Sequence, residues 1–158
     1  MHAVPSPRRC LILGLQPVLA SCLPVPDLLR FACVAGHLVS GFVKQHLPII
    51  LVNHLTSQKN VPKALSAGFI EVDKSLGGSR IDCEFSGSTA VVSYLKGRTL
   101  TTAWVGDSRG VIARHAPATG WQAVDLTNDH KPTNPEEKAR ILRSNGRVER
   151  WAGAVCLQ

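Results

Sequence analysis

Paired cysteines and stacking aromatic residues are scarce in this sequence, and their scarcity excludes familiar classes of small domain. The five cysteines are odd in number and form no Cys-x-x-Cys pair, which argues against a zinc knuckle and a disulfide framework. The aromatic residues are one tyrosine, three tryptophans and four phenylalanines, and the basic residues behind a net charge of +7 form no continuous run. We therefore expect no metal on cysteine and no nucleic-acid partner, although the positive charge favours other anionic partners.

Acidic residues are absent from the first 26 residues. Two arginines precede an apolar run there, and residues 19–22, Leu-Ala-Ser-Cys, weakly resemble a lipoprotein cleavage site. Pro17 interrupts the run, which argues against a membrane-spanning helix. We expect residues 1–35 to be a leader, either a signal or transit peptide or an unstructured or wrongly joined segment. An intracellular location is favoured, and organelle targeting and export remain open.

Two helices are predicted before any strand. Residues 36–55 place apolar side chains on one face, and Pro48 is expected to end or kink this helix because proline lacks an amide hydrogen. Residues 61–76 repeat apolar side chains at three- and four-residue steps. Asn60 can cap this second helix, and the glycine pair at residues 77–78 can stop it.

A run of β-branched and apolar segments then predicts antiparallel strands joined by tight turns. The predicted strands are residues 89–95, 99–105, 110–114 and 121–126. We expect them to form one meander, with residues 90–92 and 111–113 largely buried. Trp104 and Trp121 are expected to pack in the core or across strands.

A last helix and a last strand complete the prediction. Asn134 can cap the helix, Pro135 suits its first position, and Glu137 is placed for a capping box. The Asn-Gly pair at residues 145–146 closes the helix, and residues 147–149 can start a strand. The chain has 158 residues, enough for one domain with a core. We expect an α+β fold in which helices cover an antiparallel sheet.

Four phrases in this order resemble the metal-dependent protein serine/threonine phosphatases of type 2C, the PPM type. They are residues 86–90 (Ser-Gly-Ser-Thr-Ala), 105–110 (Val-Gly-Asp-Ser-Arg-Gly), 126–132 (Leu-Thr-Asn-Asp-His-Lys-Pro) and 136–148, from Glu136 through Arg140-Ile141 to Gly146-Arg147-Val148. Any one phrase is a weak signal, whereas four in order, each at the expected structural place, are a strong one. The resemblance covers residues 36–150.

This resemblance implies a layered α-β-β-α fold, an antiparallel β-sandwich flanked by helices. It also implies hydrolysis of phosphoserine and phosphothreonine in phosphoprotein substrates with Mg²⁺ or Mn²⁺. Two cations about 3.5–4 Å apart can activate a bridging water and stabilise the phosphoryl oxygens. Residues 36–158 are accordingly expected to be a partial phosphatase domain. The sequence gives no signal of oligomeric state.

The sequence departs from the family pattern at the metal ligands. The family takes these ligands from an early acidic pair, an Asp-Gly-His-Gly phrase, a later Asp-Gly and a near-terminal Asp-Asn, and none of them is present. Residues 36–40 fit the helix that follows the Asp-Gly-His-Gly phrase better than the phrase itself. We therefore expect an incomplete domain that is inactive alone. A non-catalytic phosphatase-like module for binding or regulation remains the alternative.

Asp107 is the residue expected to take part in the chemistry. The resemblance implies that it faces the metal centre and ligates a weakly held cation; the alternative is a turn aspartate that accepts bonds from nearby amides. Arg109 can guide a phosphate, but a structural salt bridge is the favoured role.

The remaining candidates are expected to be structural, and no catalytic residue is assigned. His130 lies in a loop before a proline, and His37 lacks a neighbouring aspartate. No Gly-x-Ser-x-Gly elbow surrounds the hydroxyl residues at the start of the first predicted strand, so we expect them to be strand-start hydroxyls rather than nucleophiles. These are Ser86, Ser88 and Thr89.

Overall fold

The computed structural model describes residues 28–34, 36–83, 86–151 and 154–157. Within these ranges the helices are α1 (His37–Ser57), α2 (Val61–Gly77) and α3 (Pro135–Arg143). The strands are β1 (Leu28–Val34), β2 (Thr89–Lys96), β3 (Thr99–Val105), β4 (Val111–Ala116), β5 (Gly120–Asp125), β6 (Val148–Trp151) and β7 (Ala154–Leu157). All strand pairs are antiparallel. The predicted α+β class is therefore confirmed.

The central sheet has the strand order β1-β2-β3. Val92 of β2 lies opposite Phe31 of β1 on one side and Ala103 of β3 on the other. Gly97 adopts a positive φ of 59° in the tight β2–β3 turn, a conformation that glycine reaches without strain. β1 was not predicted, and it lies within the segment expected to be a leader. The rest of the leader prediction, residues 1–27, lies outside the described residues.

The helix α1 runs through Pro48 and ends only at Ser57, so of the two predicted effects of the proline, an end or a kink, the end is wrong. Leu47 and Leu51 lie on either side of Pro48 and are both fully buried. Their burial compensates for the hydrogen bond that proline removes from the helix. In the described part of the chain, no helix is both long and apolar enough to cross a membrane.

The core lies between the helix pair and one face of the central sheet. Alternate residues of β2 point to this side, as the two-residue period of a strand requires. The buried cluster comprises Val39, Val43, Leu47, Leu51, Leu65, Val72, Ala90, Val92 and Tyr94. The helices predicted to cover a sheet therefore do so.

The strands β4 and β5 form a separate two-stranded sheet, so the prediction of one continuous meander is wrong. Val111 is 53% exposed and Ile112 is 41% exposed, which also contradicts the predicted burial of residues 111–113. Among the described residues β4 pairs with β5, and β3 is not its neighbour. Trp121 is exposed rather than in the core, but its ring packs across the strands against His115 at a centroid distance of 5.1 Å.

The helix α3 has the predicted cap at its start and the predicted stop at its end. Asn134 accepts a hydrogen bond from the backbone amide of Glu136. Asn145 adopts a positive φ of 59°, and the amide of Gly146 donates to the carbonyl of Ile141 at 2.9 Å. The capping-box prediction is wrong, because Glu137 binds Arg140 instead of reaching back to the cap. β6 confirms the strand predicted to start near residue 147.

Candidate functional site

Two loops meet at the end of β3. The first loop, residues 106–110, leaves β3, and the second loop, residues 126–134, leaves β5. The His130 amide donates to the carbonyl of Gly106 at 3.0 Å, and the Gly106 amide donates to His130 Nδ1 at 3.4 Å. Gly106 has a φ of 92°, which favours glycine strongly over any residue with a Cβ. The backbone itself therefore places residue 107 beside residues 129–131.

Further hydrogen bonds fasten the two loops together. The Leu126 amide donates to the carbonyl of Gly110 at 2.8 Å, and the Gly110 amide donates to Thr127 Oγ1 at 3.0 Å. Trp104 Nε1 donates to the carbonyl of Asn128 at 2.8 Å. Because backbone groups make most of these bonds, side chains carried by the two loops have fixed positions relative to one another.

Four charged side chains meet across this junction; we call Asp107, Arg109, Asp129 and Lys131 the four-charge cluster. Arg109 donates through Nε and Nη2 to the two carboxylate oxygens of Asp129, at 2.9 and 3.1 Å. Lys131 Nζ lies 2.9 Å from Asp129 Oδ2 and 3.7 Å from Asp107 Oδ2. The carboxyl groups are largely buried, whereas Arg109 is 61% exposed. Two carboxylates and two cations leave no net charge.

Asp129 is the most strongly perturbed acid in the cluster. Hydrogen bonds from Arg109, and secondarily from Lys131, lower the pKa of Asp129 from 3.8 to about 2, against a smaller opposing effect of burial. The same hydrogen bonds to Asp129 raise the pKa of Arg109 and of Lys131. All three groups therefore stay charged at any physiological pH.

The ion pairing of Asp129 should be detectable as a loss of protein stability in acid. The folded pKa of Asp129 is depressed, so its contribution is complete above pH 3.8, the unfolded value, and disappears as the pH falls towards about 2. Because the partners of Asp129 are exposed to solvent, screening weakens the interaction, and we expect this contribution to be on the order of 1 kcal/mol. Urea unfolding of the wild type and of Asp129→Asn, measured from about pH 6 down to pH 2, checks it. The two proteins should converge in stability at the acid end; a constant gap would contradict the assignment.

The histidines have different environments. The ring of His130 stacks on Trp104 at a centroid distance of 5.7 Å and accepts the Gly106 hydrogen bond, which is the structural role predicted for it. His37 is the first residue of α1 and is exposed. The structure does not bring either ring into contact with the Asp107 carboxylate.

The strand-start hydroxyls make structural contacts. Thr89 is buried, and its Oγ1 lies 2.7 Å from Ser108 Oγ, which ties the start of β2 to the first loop. Ser88 Oγ donates to the carbonyl of Thr89. Ser86 packs against Gly36, where a Cβ would lie only 2.0 Å from the serine Oγ. These side chains fix the route of the chain into β2.

A family model described as Protein phosphatase 2C matches residues 27–158 of this chain. That match extends over most of the sequence and includes all four phrases and the loop junction.

The chain belongs to the protein phosphatase 2C family.

Similar curated proteins carry the same family name. This phosphatase 2C chain is 48% identical over 87 residues to "Probable protein phosphatase 2C 12" of Oryza sativa subsp. japonica, covering 54% of this chain and 22% of the relative. It is 36% identical over 124 residues to "Probable protein phosphatase 2C 72" of Arabidopsis thaliana, covering 72% and 38%. A relative in Paramecium tetraurelia, "Probable protein phosphatase 2C 5", is 33% identical over 139 residues, covering 78% and 45%. The chain thus spans less than half the length of these relatives.

Solved structures support the fold of this family member. The serine-threonine phosphatase 2C from Toxoplasma gondii matches with a TM-score of 0.63 at 24% identity, covering 80% of this chain and 46% of that one. A sex-determining protein of C. elegans matches with the same TM-score at 23% identity, covering 82% and 32%. These likenesses confirm the phosphatase 2C fold predicted from the phrases, and they confirm that the described region is part of it.

The donor set of this phosphatase 2C chain does not fit a two-metal centre by itself. Across the ranges that the structure describes, no group of three histidine, cysteine or carboxylate residues is placed to hold a metal ion. Asp107 and Asp129 are the two carboxylates at the loop junction, and the ammonium of Lys131 lies close to both. Mg²⁺ and Mn²⁺ need more oxygen ligands than these two side chains supply.

Sequence patterns indicate Asp107 and Arg109 as candidates but do not reveal the partners that bind them. The ion pair favoured for Arg109 is present, and its acceptor is Asp129. A usable signal was the Asp-His-Lys run at residues 129–131, which places two opposite charges two residues apart in the second loop. The pairing depends on two loops far apart in sequence, so spacing alone does not reveal it.

Proposed function

We propose that this chain is part of a protein serine/threonine phosphatase domain that hydrolyses phosphoserine and phosphothreonine with Mg²⁺ or Mn²⁺, and that its 158 residues alone do not catalyse. The observation that carries the proposal is the family match over residues 27–158, which includes the aspartate-bearing loop after β3. The printed name of the Toxoplasma gondii relative, a serine-threonine phosphatase 2C, supports the substrate class. The net charge of +7 is compatible with phosphoprotein substrates.

Asp107 is the proposed cation ligand. Its side chain is only 11% exposed, and the Gly106–His130 hydrogen bonds fix its backbone. A carboxylate on a loop held in this way needs little backbone reorganisation to face a metal centre. Among the described residues no group of three potential ligands is placed to hold a metal ion, so the further oxygen ligands would have to come from outside the described ranges.

The incomplete donor set is the reason for expecting no activity from the chain alone. Phosphate monoester hydrolysis in water is among the slowest uncatalysed reactions, so a residual site without its cations gives no measurable rate. With p-nitrophenyl phosphate and Mn²⁺, the 158-residue chain should release no more nitrophenol than the buffer does. Saturable Mn²⁺-dependent hydrolysis by the purified chain would overturn this part of the proposal.

A chimera tests the proposed catalytic role of this chain within a complete domain. The part of this chain that is similar to the Arabidopsis thaliana relative replaces the corresponding segment of that relative, which supplies the remainder of the domain. We expect Mn²⁺-dependent hydrolysis of a phosphothreonine peptide by the chimera, and a loss of about tenfold or more with Asp107→Asn. The matched control is Asp125→Asn, an exposed aspartate at the end of β5, which should retain the rate. A folded chimera that is inactive would refute a catalytic role for this segment.

One observation favours a second candidate, a non-catalytic phosphatase-like module for binding or regulation. The four-charge cluster is electrically balanced among its own side chains. A module of this kind needs no metal in order to fold or to bind a partner. An inactive but folded chimera, together with cooperative unfolding of the 158-residue chain without metal, would support this candidate over the first.

A further inference from the structure

The ammonium of Lys131 lies where a cation would approach Asp107. Lys131 Nζ is 3.7 Å from Asp107 Oδ2. Within the described residues, this ion pair is the side-chain contact of the Asp107 carboxylate. The same ammonium binds Asp129 at 2.9 Å and so bridges the two carboxylates. Arg109 occupies both oxygens of Asp129 from the other side.

The backbone fixes Lys131 from both directions. Its amide donates to the carbonyl of Asp129 at 2.9 Å, and its own carbonyl accepts from the amide of Asn134, the cap of α3, at 2.8 Å. The preceding residue, His130, is bonded to Gly106. The side chain, which is 45% exposed, therefore leaves the backbone from a fixed point close to the carboxylates.

We propose that Lys131 is the built-in counter-ion of Asp107 and that it lowers the affinity of this carboxylate for divalent cations. The inference rests on the proposed function in taking Asp107 as the cation-facing group. It adds a competing positive charge within the same chain. A divalent cation that binds Asp107 has to displace this ammonium or tolerate it nearby, and both cost binding free energy. Lys131 is thus a positioning residue that tunes the cation site without touching substrate.

The test measures Mn²⁺ binding by electron paramagnetic resonance on the 158-residue chain, since the signal of free Mn²⁺ reports binding without any need for activity. Lys131→Met should raise the affinity for Mn²⁺ about tenfold at low ionic strength, because one positive charge is removed close to the ligand. Lys131→Arg keeps the charge and should resemble the wild type. Lys138→Met removes an exposed lysine of α3 and should also have no effect. The gain should shrink as salt is added.

A double variant locates the effect. Adding Asp107→Asn to Lys131→Met should abolish the gain in affinity, and a gain that persists would overturn the proposal. Equal affinities of Lys131→Met and the wild type would also overturn it. If Lys131→Met does not fold, Lys131→Gln, which removes the charge but can still donate to Asp129, replaces it in the same comparison with the same two deciding outcomes.

This outcome is separable from that of the proposed function. An inactive chimera together with a gain of Mn²⁺ affinity in Lys131→Met would refute the catalytic role and support the counter-ion. An active chimera together with unchanged Mn²⁺ affinity in Lys131→Met would support the catalytic role and refute the counter-ion.

Discussion

Replacing Leu51 by alanine is expected to lower the free energy of unfolding by about 3–4 kcal/mol. Leu51 is fully buried on α1, and its side chain lies directly over Gly68 of α2, where an added Cβ would be 2.4 Å from the leucine Cδ2. The two helices thus approach each other at a glycine that is covered by one leucine. Shortening that leucine leaves a cavity that a glycine on the facing helix cannot fill. Urea unfolding followed by circular dichroism measures the change.

Two variants on the same helix control this prediction. Ile49→Ala removes a side chain of equal volume that is 60% exposed, and it should change stability by no more than about 0.5 kcal/mol. Leu51→Met conserves volume and should cost less than about 1.5 kcal/mol. Similar losses for Leu51→Ala and Ile49→Ala would show that the helix pair is not closed over Gly68.

Local sequence patterns were sufficient for the helices of this fold. The three- and four-residue spacing of α2 placed Leu65 and Val72 on one face, and both are buried. The effect of Pro48 was misjudged because a proline penalty of about 3 kcal/mol is comparable with the burial of the two leucines beside it. Helix propensity is a local quantity, whereas that burial depends on α2 and the sheet.

The strands show where local patterns fail. β1 lies in a stretch with no alternation strong enough to predict a strand, and its pairing partner, β2, follows both helices. β4 is apolar and β-branched, yet its apolar side chains are exposed, because burial depends on a covering layer and not on the strand itself. For both β1 and β4, the local sequence pattern therefore contains no information about the partners that lie far away in the sequence.

In the site, too, local sequence reveals some residues, whereas others depend on contacts between distant parts of the chain. Asp107 was identified from a phrase that positions a carboxylate after a strand. Its neighbour Lys131 could not be identified, since the two residues meet through the hydrogen bonds between Gly106 and His130. Charge spacing within the second loop does not show which carboxylate receives the ammonium. The sequence thus offered Asp107 as a candidate, while loop-to-loop geometry determined which charges surround it.

Removal of Arg140 is expected to destabilise the protein by about 2 kcal/mol at neutral pH. Glu137 has a side chain only 7% exposed, and Arg140 donates to both of its carboxylate oxygens. Arg140→Met leaves that carboxylate buried and charged without its partner. The estimate is below the cost of breaking a fully buried pair because Arg140 is 57% exposed and water can reach this end of the helix.

The pH dependence separates this charge effect from a simple loss of packing. The Arg140 hydrogen bond lowers the pKa of Glu137 from 4.5, so the pair stabilises the wild type fully above that value and less as the pH falls through the depressed folded pKa. In Arg140→Met, burial raises the pKa of Glu137 instead, and protonation in acid then relieves the unpaired charge. The gap between the two proteins should therefore be largest near neutral pH. It should start to narrow above pH 4.5, as Glu137 of the variant protonates, and narrow further as the pH falls through the depressed pKa of the wild type.

Three further variants complete the test. Arg143→Met, on the exposed side of α3, controls for the loss of an arginine from the same helix and should be nearly neutral. Arg140→Lys keeps the charge but not the bidentate hydrogen bond, so its stability should fall between that of the wild type and that of Arg140→Met. Glu137→Gln in the Arg140→Met background removes the buried charge and should recover part of the loss. A loss that is independent of pH and unrelieved by Glu137→Gln would mean that Arg140 stabilises α3 by packing and not by this ion pair.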